Sequence, residues 1–119
     1  MAVLTDQPSW VCAYVVRRFG FDHAICTEAA VRDGVVGVVR AYNFAKRVGL
    51  EAYAGGHGVP LAAVAHVGNG ANDIPVFQAI GWSVAFNPSS EAVAAAARAV
   101  VRTKDLRDAL PHLLPGAVR

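Results

Sequence analysis

Apolar and polar positions change period repeatedly along the chain, which predicts strands alternating with helices. Residues 1–4 form a short apolar run typical of a buried strand. Residues 5–8 then supply a capping residue and a proline suited to a first helical turn. A helix ending at Gly20 is predicted by the spacing of Trp10, Val11, Tyr14, Val15 and Phe19.

The next segment changes from a helical to a strand pattern. Residues 23–27 are predicted to be a strand, and Asp33-Gly34 separates two β-rich runs at 29–32 and 35–39. An Asp-Gly pair between such runs is a strong hairpin signal. A helix from about residue 42 to 57 follows, although its glycines weaken it.

The second half of the chain continues the alternation. Residues 64–67 read as a strand, and Asp73-Ile74-Pro75 starts a short helix that Gly81 closes. Beyond it the pattern predicts a strand at 82–86, a turn at Asn87-Pro88, a helix from the capping residue Ser90 to about Ala99, a strand near 100–102 and a helix at 105–114. This order implies a parallel sheet covered on both faces, an α/β fold in a single domain with a hairpin insert at about 28–40.

Composition excludes several classes of protein. The 119 residues are 55% hydrophobic and 17% charged, which excludes disorder, and the net charge of +2 is too small and too scattered for a nucleic-acid partner. Cys12 and Cys26 lack the spacing of metal ligands and are expected to be reduced. Neither a signal peptide nor a membrane span is expected, so the predicted location is the cytoplasm.

One stretch carries the candidate chemistry. Residues 66–75 read as a strand, a glycine loop and a helix start, and ligands of parallel sheets bind beyond such strand ends. The glycines would let backbone amides approach an anion, and Asp73 would add a hard oxygen ligand suited to Mg²⁺. The alternative is that Asn72 or Asp73 only caps the helix. His66, on the strand, is expected to be a core or strand-edge histidine.

The run 67–77 resembles the fourth motif of the haloacid dehalogenase phosphatases, which reads G-D-G-x-N-D in phosphoserine phosphatases. The resemblance extends over most of the chain through Gly20-Phe21-Asp22-His23, Glu28, the Asp33-Gly34 hairpin, Gly37, residues 81–87 and residues 104–108. It implies a three-layer, Rossmann-like parallel sheet. It also implies a Mg²⁺-dependent phosphomonoester hydrolase acting on a phosphorylated small molecule.

The resemblance assigns roles to particular residues. Thr5 would be the hydroxyl of the second motif and Lys46 the lysine of the third, both catalytic because they stabilise the phosphoryl oxygens. The implied phosphate-binding residues are Thr5, Asp6, Lys46, Gly70 and Asn72, and the implied metal ligands are Asp73 and Asn69. The alternatives are that Thr5 is a helix cap, a role that it could combine with phosphate binding, and that Lys46 is a solvated surface lysine.

Two departures from the family pattern matter. No D-x-D occurs in the sequence, so the first motif (D-x-D-x-T), its strand and the cap helices are expected to be missing. The chain is then expected to begin at the second motif and to be inactive alone. Asn69 stands where the family usually has an aspartate, and losing that charge predicts weaker Mg²⁺ binding.

The missing strand would leave two strand edges open, at residues 1–4 and 64–67. These edges could pair with each other, accept a strand from a second polypeptide, or form a homodimer. Three functions therefore remain open: a phosphatase fragment or subunit, a non-catalytic relic that binds phosphate or a protein, and a marginally folded truncated product. Phosphoserine as the substrate follows only from overall similarity.

Overall fold

The computed structural model describes residues 1–40 and 46–113. The contacts between residues divide the chain into two compact units, Met1–Tyr53 and Ala54–Arg119, and each is described by itself. None of the helices in the described ranges is long and apolar enough to cross a membrane.

The first unit is built on a three-stranded sheet in the order β1-β2-β3. Its elements are β1 (Ala2–Pro8), α1 (Ser9–Phe19), β2 (His23–Arg32), β3 (Val35–Arg40) and the start of α2 (Lys46–Gly56). β1 and β2 run parallel, while β2 and β3 form the predicted antiparallel hairpin. Asp33 and Gly34 both have positive φ, 53° and 74°, which is the backbone that a tight two-residue hairpin turn requires.

The first strand is longer than the apolar pattern predicts. It continues through Pro8, with a shift in its pairing to β2 between Leu4 and Pro8, and Pro8 rather than a side chain precedes the helix. The interpretation of Thr5 as a helix cap is therefore wrong. Its hydroxyl accepts the Gln7 N–H at 3.3 Å inside the strand.

Helix α1 ends as the sequence predicts. Gly20 has φ 73°, and its N–H donates to the Val16 carbonyl at 3.0 Å. The helix buries Cys12, whose thiol contacts the Gln7 carbonyl at 3.9 Å, and both cysteines are free thiols. For the helix predicted at 42–57, the described part is Lys46–Gly56, and residues 42–45 lie outside the described ranges.

The second unit contains an all-parallel sheet in the order β4-β5-β6. Its strands are β4 (Ala65–Gly68), β5 (Trp82–Phe86) and β6 (Ala99–Val101), and its helices are α3 (Ile74–Ala79), α4 (Glu91–Ala96) and α5 (Leu110–Leu113). β5 is central and buried on both faces. Ala85 packs with Phe77 and Val93 in one core cluster, and Val84 packs with Val101 and Ala109 in another.

The fold class is confirmed as α/β with parallel strands, but two helix boundaries differ from prediction. α4 begins after Ser90, whose hydroxyl accepts the Val93 N–H, and ends at Ala96 instead of Ala99. Ala99 instead pairs with Val84 in β6, and the sheet pairing overrides the helix preference of the alanine run. At the end of the chain, Asp105 caps a 3₁₀ turn (Leu106–Ala109) before α5, and Leu114 lies outside the described residues.

The buried thiol of Cys12 predicts a loss of stability at alkaline pH. Burial, together with a hydrogen bond to the Cys26 thiol, raises the pKa of the Cys12 thiol to about 12. Above the ordinary thiol pKa the unfolded chain loses a proton that the folded chain keeps. We therefore expect the free energy of unfolding to fall by about 1–2 kcal/mol between pH 8 and pH 10.5 from this group.

Urea unfolding of the wild type and of Cys12→Ala at both pH values measures this effect. The alanine variant lacks the titrating thiol, so its stability should change less over the same range. Parallel pH dependence of the two proteins would contradict the assignment.

Candidate functional site

The candidate site is the loop that follows β4. The strand ends at Gly68, and the loop consists of Asn69, Gly70 and a 3₁₀ turn (Ala71–Asp73) that leads into α3. The Asp73 carboxylate folds back onto this loop. Its Oδ2 accepts the N–H groups of Asn69 at 3.0 Å and Gly70 at 3.1 Å.

His66 contacts the other oxygen of the same carboxylate. Its Nε2 lies 2.9 Å from Asp73 Oδ1, with the two side chains 13% and 3% exposed. The imidazole ring also packs against Phe77, with the ring centroids 5.8 Å apart. Asp73 is thus a buried carboxylate with two backbone donors on one oxygen and an imidazole on the other.

The absence of a side chain at Gly68 makes this arrangement sterically possible. A Cβ at that position would lie 2.3 Å from Asp73 Cγ and 2.4 Å from Oδ2. At Gly70 a Cβ would lie 3.1 Å from Asn72 Oδ1, which is a tight but less severe approach. The glycine at position 68 therefore makes room for the Asp73 carboxylate.

This geometry differs from the anion cradle that the sequence predicts. The amides of Asn69 and Gly70 donate to Asp73, so in this conformation they are already engaged within the loop. The Asn69 carbonyl accepts the Ser89 N–H at 2.9 Å, which ties the loop to the segment after β5, and the residue is exposed. The loop presents Asn69 to solvent while its acid is turned inward.

The remaining predicted residues lie in both units. Asn69, Gly70, Asn72 and Asp73 share the loop of the second unit, and Asn72 is half-buried there. Thr5 and Asp6 lie on β1 in the first unit, with Thr5 half-buried and Asp6 exposed. Lys46 is half-buried in the first turn of α2. The catalytic and phosphate-binding roles of these residues stay predictions.

The loop residues by themselves do not fit a magnesium ion. Asp73 is the one carboxylate in the loop, and both of its oxygens are engaged within the protein: Oδ2 accepts two backbone N–H groups and Oδ1 lies 2.9 Å from His66 Nε2. Within residues 1–40 and 46–113, no group of three or more His, Cys, Asp or Glu side chains could hold a metal ion. A dication would need carboxylates beyond those of the loop.

Sequence reasoning missed the contact between His66 and Asp73. His66 lies on β4 and Asp73 on the 3₁₀ turn after the loop, so neither strand nor helix periodicity relates the two side chains. A signal was available, because His66 and Gly68 lie two apart on a strand and so face the same side. Because Gly68 leaves space on that face of the strand, the polar side chain of His66 beside it indicates that another polar group can lie there.

A family model and solved structures place this chain among known proteins. A family model described as haloacid dehalogenase-like hydrolase matches residues 24–114. The chain belongs to this family. A comparison with curated protein sequences gives no significant match.

Solved structures agree with the family assignment. A phosphoserine phosphatase in its apo form is 28% identical and covers 94% of this chain and 57% of its own, with a TM-score of 0.80. A phospho-aspartyl intermediate analogue of phosphoserine phosphatase gives 28% identity, 94% and 55% coverage and a TM-score of 0.79. A haloacid dehalogenase family hydrolase from Salmonella enterica serovar Typhi shares the fold, with a TM-score of 0.83 at 18% identity over 97% of this chain and 41% of its own. The present chain therefore spans about half the length of the structures that it matches.

The close approach between Gly68 and Asp73 predicts a coupled pair of substitutions. Gly68→Ala should destabilise the protein by about 2–3 kcal/mol, because the new methyl group displaces the carboxylate from its donors. In an Asp73→Ala background the same substitution meets no carboxylate and should cost much less. Urea unfolding of the wild type, both single variants and the double variant measures the coupling. Additive costs would show that the two side chains do not compete for this space.

Proposed function

We propose that this chain forms part of a phosphomonoester hydrolase of the phosphoserine phosphatase type. The single observation that carries the proposal is the glycine loop held by Asp73 at the end of a parallel strand. That loop coincides with the run that resembles the family's fourth motif. The family match and the 28% identity to phosphoserine phosphatase structures support the same function.

The proposed reaction requires a nucleophile that the 119 residues lack. No D-x-D occurs in them, so the attacking aspartate would come from polypeptide outside this sequence. One of the similar structures is described as a phospho-aspartyl intermediate analogue, which fits an aspartate as the acceptor of the phosphoryl group. Taken by itself, this chain is proposed to be inactive as a phosphatase.

The residues of this chain would bind and stabilise the phosphoryl group. The Thr5 hydroxyl and the Lys46 ammonium group would donate to the phosphoryl oxygens and offset the charge that moves during transfer. The other proposed phosphate-binding residues are Gly70 and Asn72 of the loop after β4 and Asp6 on β1. Phosphoserine is the proposed substrate, and the cytoplasm is the proposed location.

Magnesium belongs to this proposal through the family, with Asn69 and Asp73 as the predicted ligands from this chain. Asn69 is the better placed of the two, because it is exposed while Asp73 is 2% exposed and hydrogen-bonded within the loop. Further carboxylates would have to accompany the nucleophile.

The proposed partner is a polypeptide that supplies a further strand. Among residues 1–40 and 46–113, β1 and β4 are each the end strand of a three-stranded sheet, and an end strand has backbone groups that can pair with a further strand. A second chain or a second copy of this chain could supply the strand. Neither a nucleic acid nor a membrane is part of the proposal.

A second candidate function is a non-catalytic relic that binds phosphate or a protein through the same loop. Two observations favour it, the amide at position 69 and the engagement of both Asp73 oxygens within the protein. Such a protein would bind inorganic phosphate without Mg²⁺ and would hydrolyse nothing, with or without a complementing fragment.

Complementation distinguishes the two functions. The chain is mixed with a phosphoserine phosphatase fragment that bears D-x-D-x-T, and phosphate release from phosphoserine is measured. We expect turnover that disappears when the first aspartate of that motif is replaced by asparagine. We also expect Lys46→Met to reduce turnover by at least about a hundredfold, since it removes a charge from the transferring group. A folded, co-purified complex without turnover would contradict the hydrolase and favour the relic.

Restoring the charge at position 69 tests the metal site. Asn69→Asp should tighten Mg²⁺ binding by about tenfold or more, because a carboxylate attracts a dication more strongly than an amide oxygen. Calorimetry on the complemented protein measures the affinity, and Ser89→Asp serves as a control with the same charge at a neighbouring exposed residue. Equal Mg²⁺ affinity in the wild type and Asn69→Asp would remove Asn69 from the set of ligands.

A further inference from the structure

The burial of the Asp73 carboxylate makes its hydrogen bonds decisive for the loop. The side chain is 3% exposed, so solvent contributes little to stabilising its charge. A buried carboxylate is tolerated only where donors surround it. The amides of Asn69 and Gly70 serve Oδ2, and the imidazole of His66 lies on Oδ1.

The strand geometry explains how His66 reaches this carboxylate. Residues two apart on a strand face the same side, so His66 and Gly68 share one face of β4. Gly68 offers no side chain there, and Asp73 fills the space where a Cβ would lie 2.3 Å from its Cγ. The imidazole of His66 and the carboxylate of Asp73 therefore contact each other beside Gly68, where the strand carries no side chain.

The imidazole is itself held by the core. Its ring lies 5.8 Å from the ring of Phe77, which is 3% exposed and belongs to the core cluster with Ala85 and Val93. When Asp73 is ionised its carboxylate only accepts hydrogen bonds, and the contact at 2.9 Å then requires the hydrogen of the imidazole on His66 Nε2. A series of contacts therefore connects the core residue Phe77 with His66, His66 with Asp73, and Asp73 with the two amides of the loop.

We propose that His66 is the positioning residue of this loop. Its Nε2–H donates to Asp73 Oδ1 and fixes the carboxylate so that Oδ2 stays on the amides of Asn69 and Gly70. His66 thereby sets the loop conformation that presents Asn69 and Asn72. The consequence for phosphate binding rests on the proposed function of the loop, whereas the conformational role does not.

A matched pair of variants separates the hydrogen bond from the volume of the ring. His66→Gln keeps an N–H donor at the end of the side chain, while His66→Leu keeps a similar volume and removes the donor. Hydrogen exchange measured by NMR reports on the amides of Asn69 and Gly70, with the amide of Val84 in β5 as the reference. We expect His66→Leu to speed exchange at the two loop amides by at least about tenfold relative to the reference, and His66→Gln to restore most of the protection.

Two results would overturn the proposal. One is unchanged exchange at Asn69 and Gly70 in His66→Leu. The other is an equal increase at all three amides, which would indicate a general packing role. If His66→Leu fails to fold, the ¹⁵N spectrum of the wild-type imidazole decides, because a neutral ring with its hydrogen on Nδ1 is incompatible with donation from Nε2.

Titration of the full chain with inorganic phosphate tests the functional consequence. If the wild type binds phosphate, His66→Leu should weaken binding by about fivefold or more, and His66→Gln should recover it. Unchanged affinity in His66→Leu, despite faster exchange of the loop amides, would overturn the link to the site. An absence of phosphate binding in the wild type would instead count against the proposed function, and the exchange results would still decide the role of His66.

Discussion

The loop after β4 depends on one buried carboxylate side chain. The Asp73 carboxylate lies almost completely out of solvent, and it occupies the space that a side chain at Gly68 would need. Two backbone amides and an imidazole surround it. Because a buried charge without donors is costly, the backbone of the loop and the start of α3 must keep the positions that satisfy it. The local sequence around residue 70 is therefore constrained from inside the protein as well as by any ligand outside it.

Much of the fold could be predicted from the sequence, because the signals there are local. The strand Trp82–Phe86, the Ser90 cap and the Asp33-Gly34 turn follow from short-range chemistry and are all present. The errors occur where distant pairing decides. β1 continues to Pro8 along β2, and Ala99 leaves the predicted helix because it pairs with Val84. A pattern read residue by residue contains no information about such neighbours.

The candidate site shows the same division between local and distant information. The sequence places Asn69, Asn72 and Asp73 in one loop, and the structure agrees. It does not reveal the direction of the Asp73 side chain, because that direction depends on the space at Gly68 and on His66. The two roles that the sequence suggests for Asp73 are helix cap and metal ligand. Neither role includes its contact with His66, which the structure shows.

The inward direction of Asp73 also changes the charge that the loop offers to a ligand. With its one carboxylate engaged and an amide at position 69, the outer face of the loop carries no negative charge of its own. Such a face repels a phosphoryl group less than a pair of carboxylates would, but it also attracts a dication less. The choice between a hydrolase and a phosphate-binding relic therefore depends on whether further polypeptide brings carboxylates to this loop. The aspartate that would attack the phosphoryl group would also add a first negative charge near this loop. The protein would therefore acquire its nucleophile and a higher affinity for a dication from the same residue.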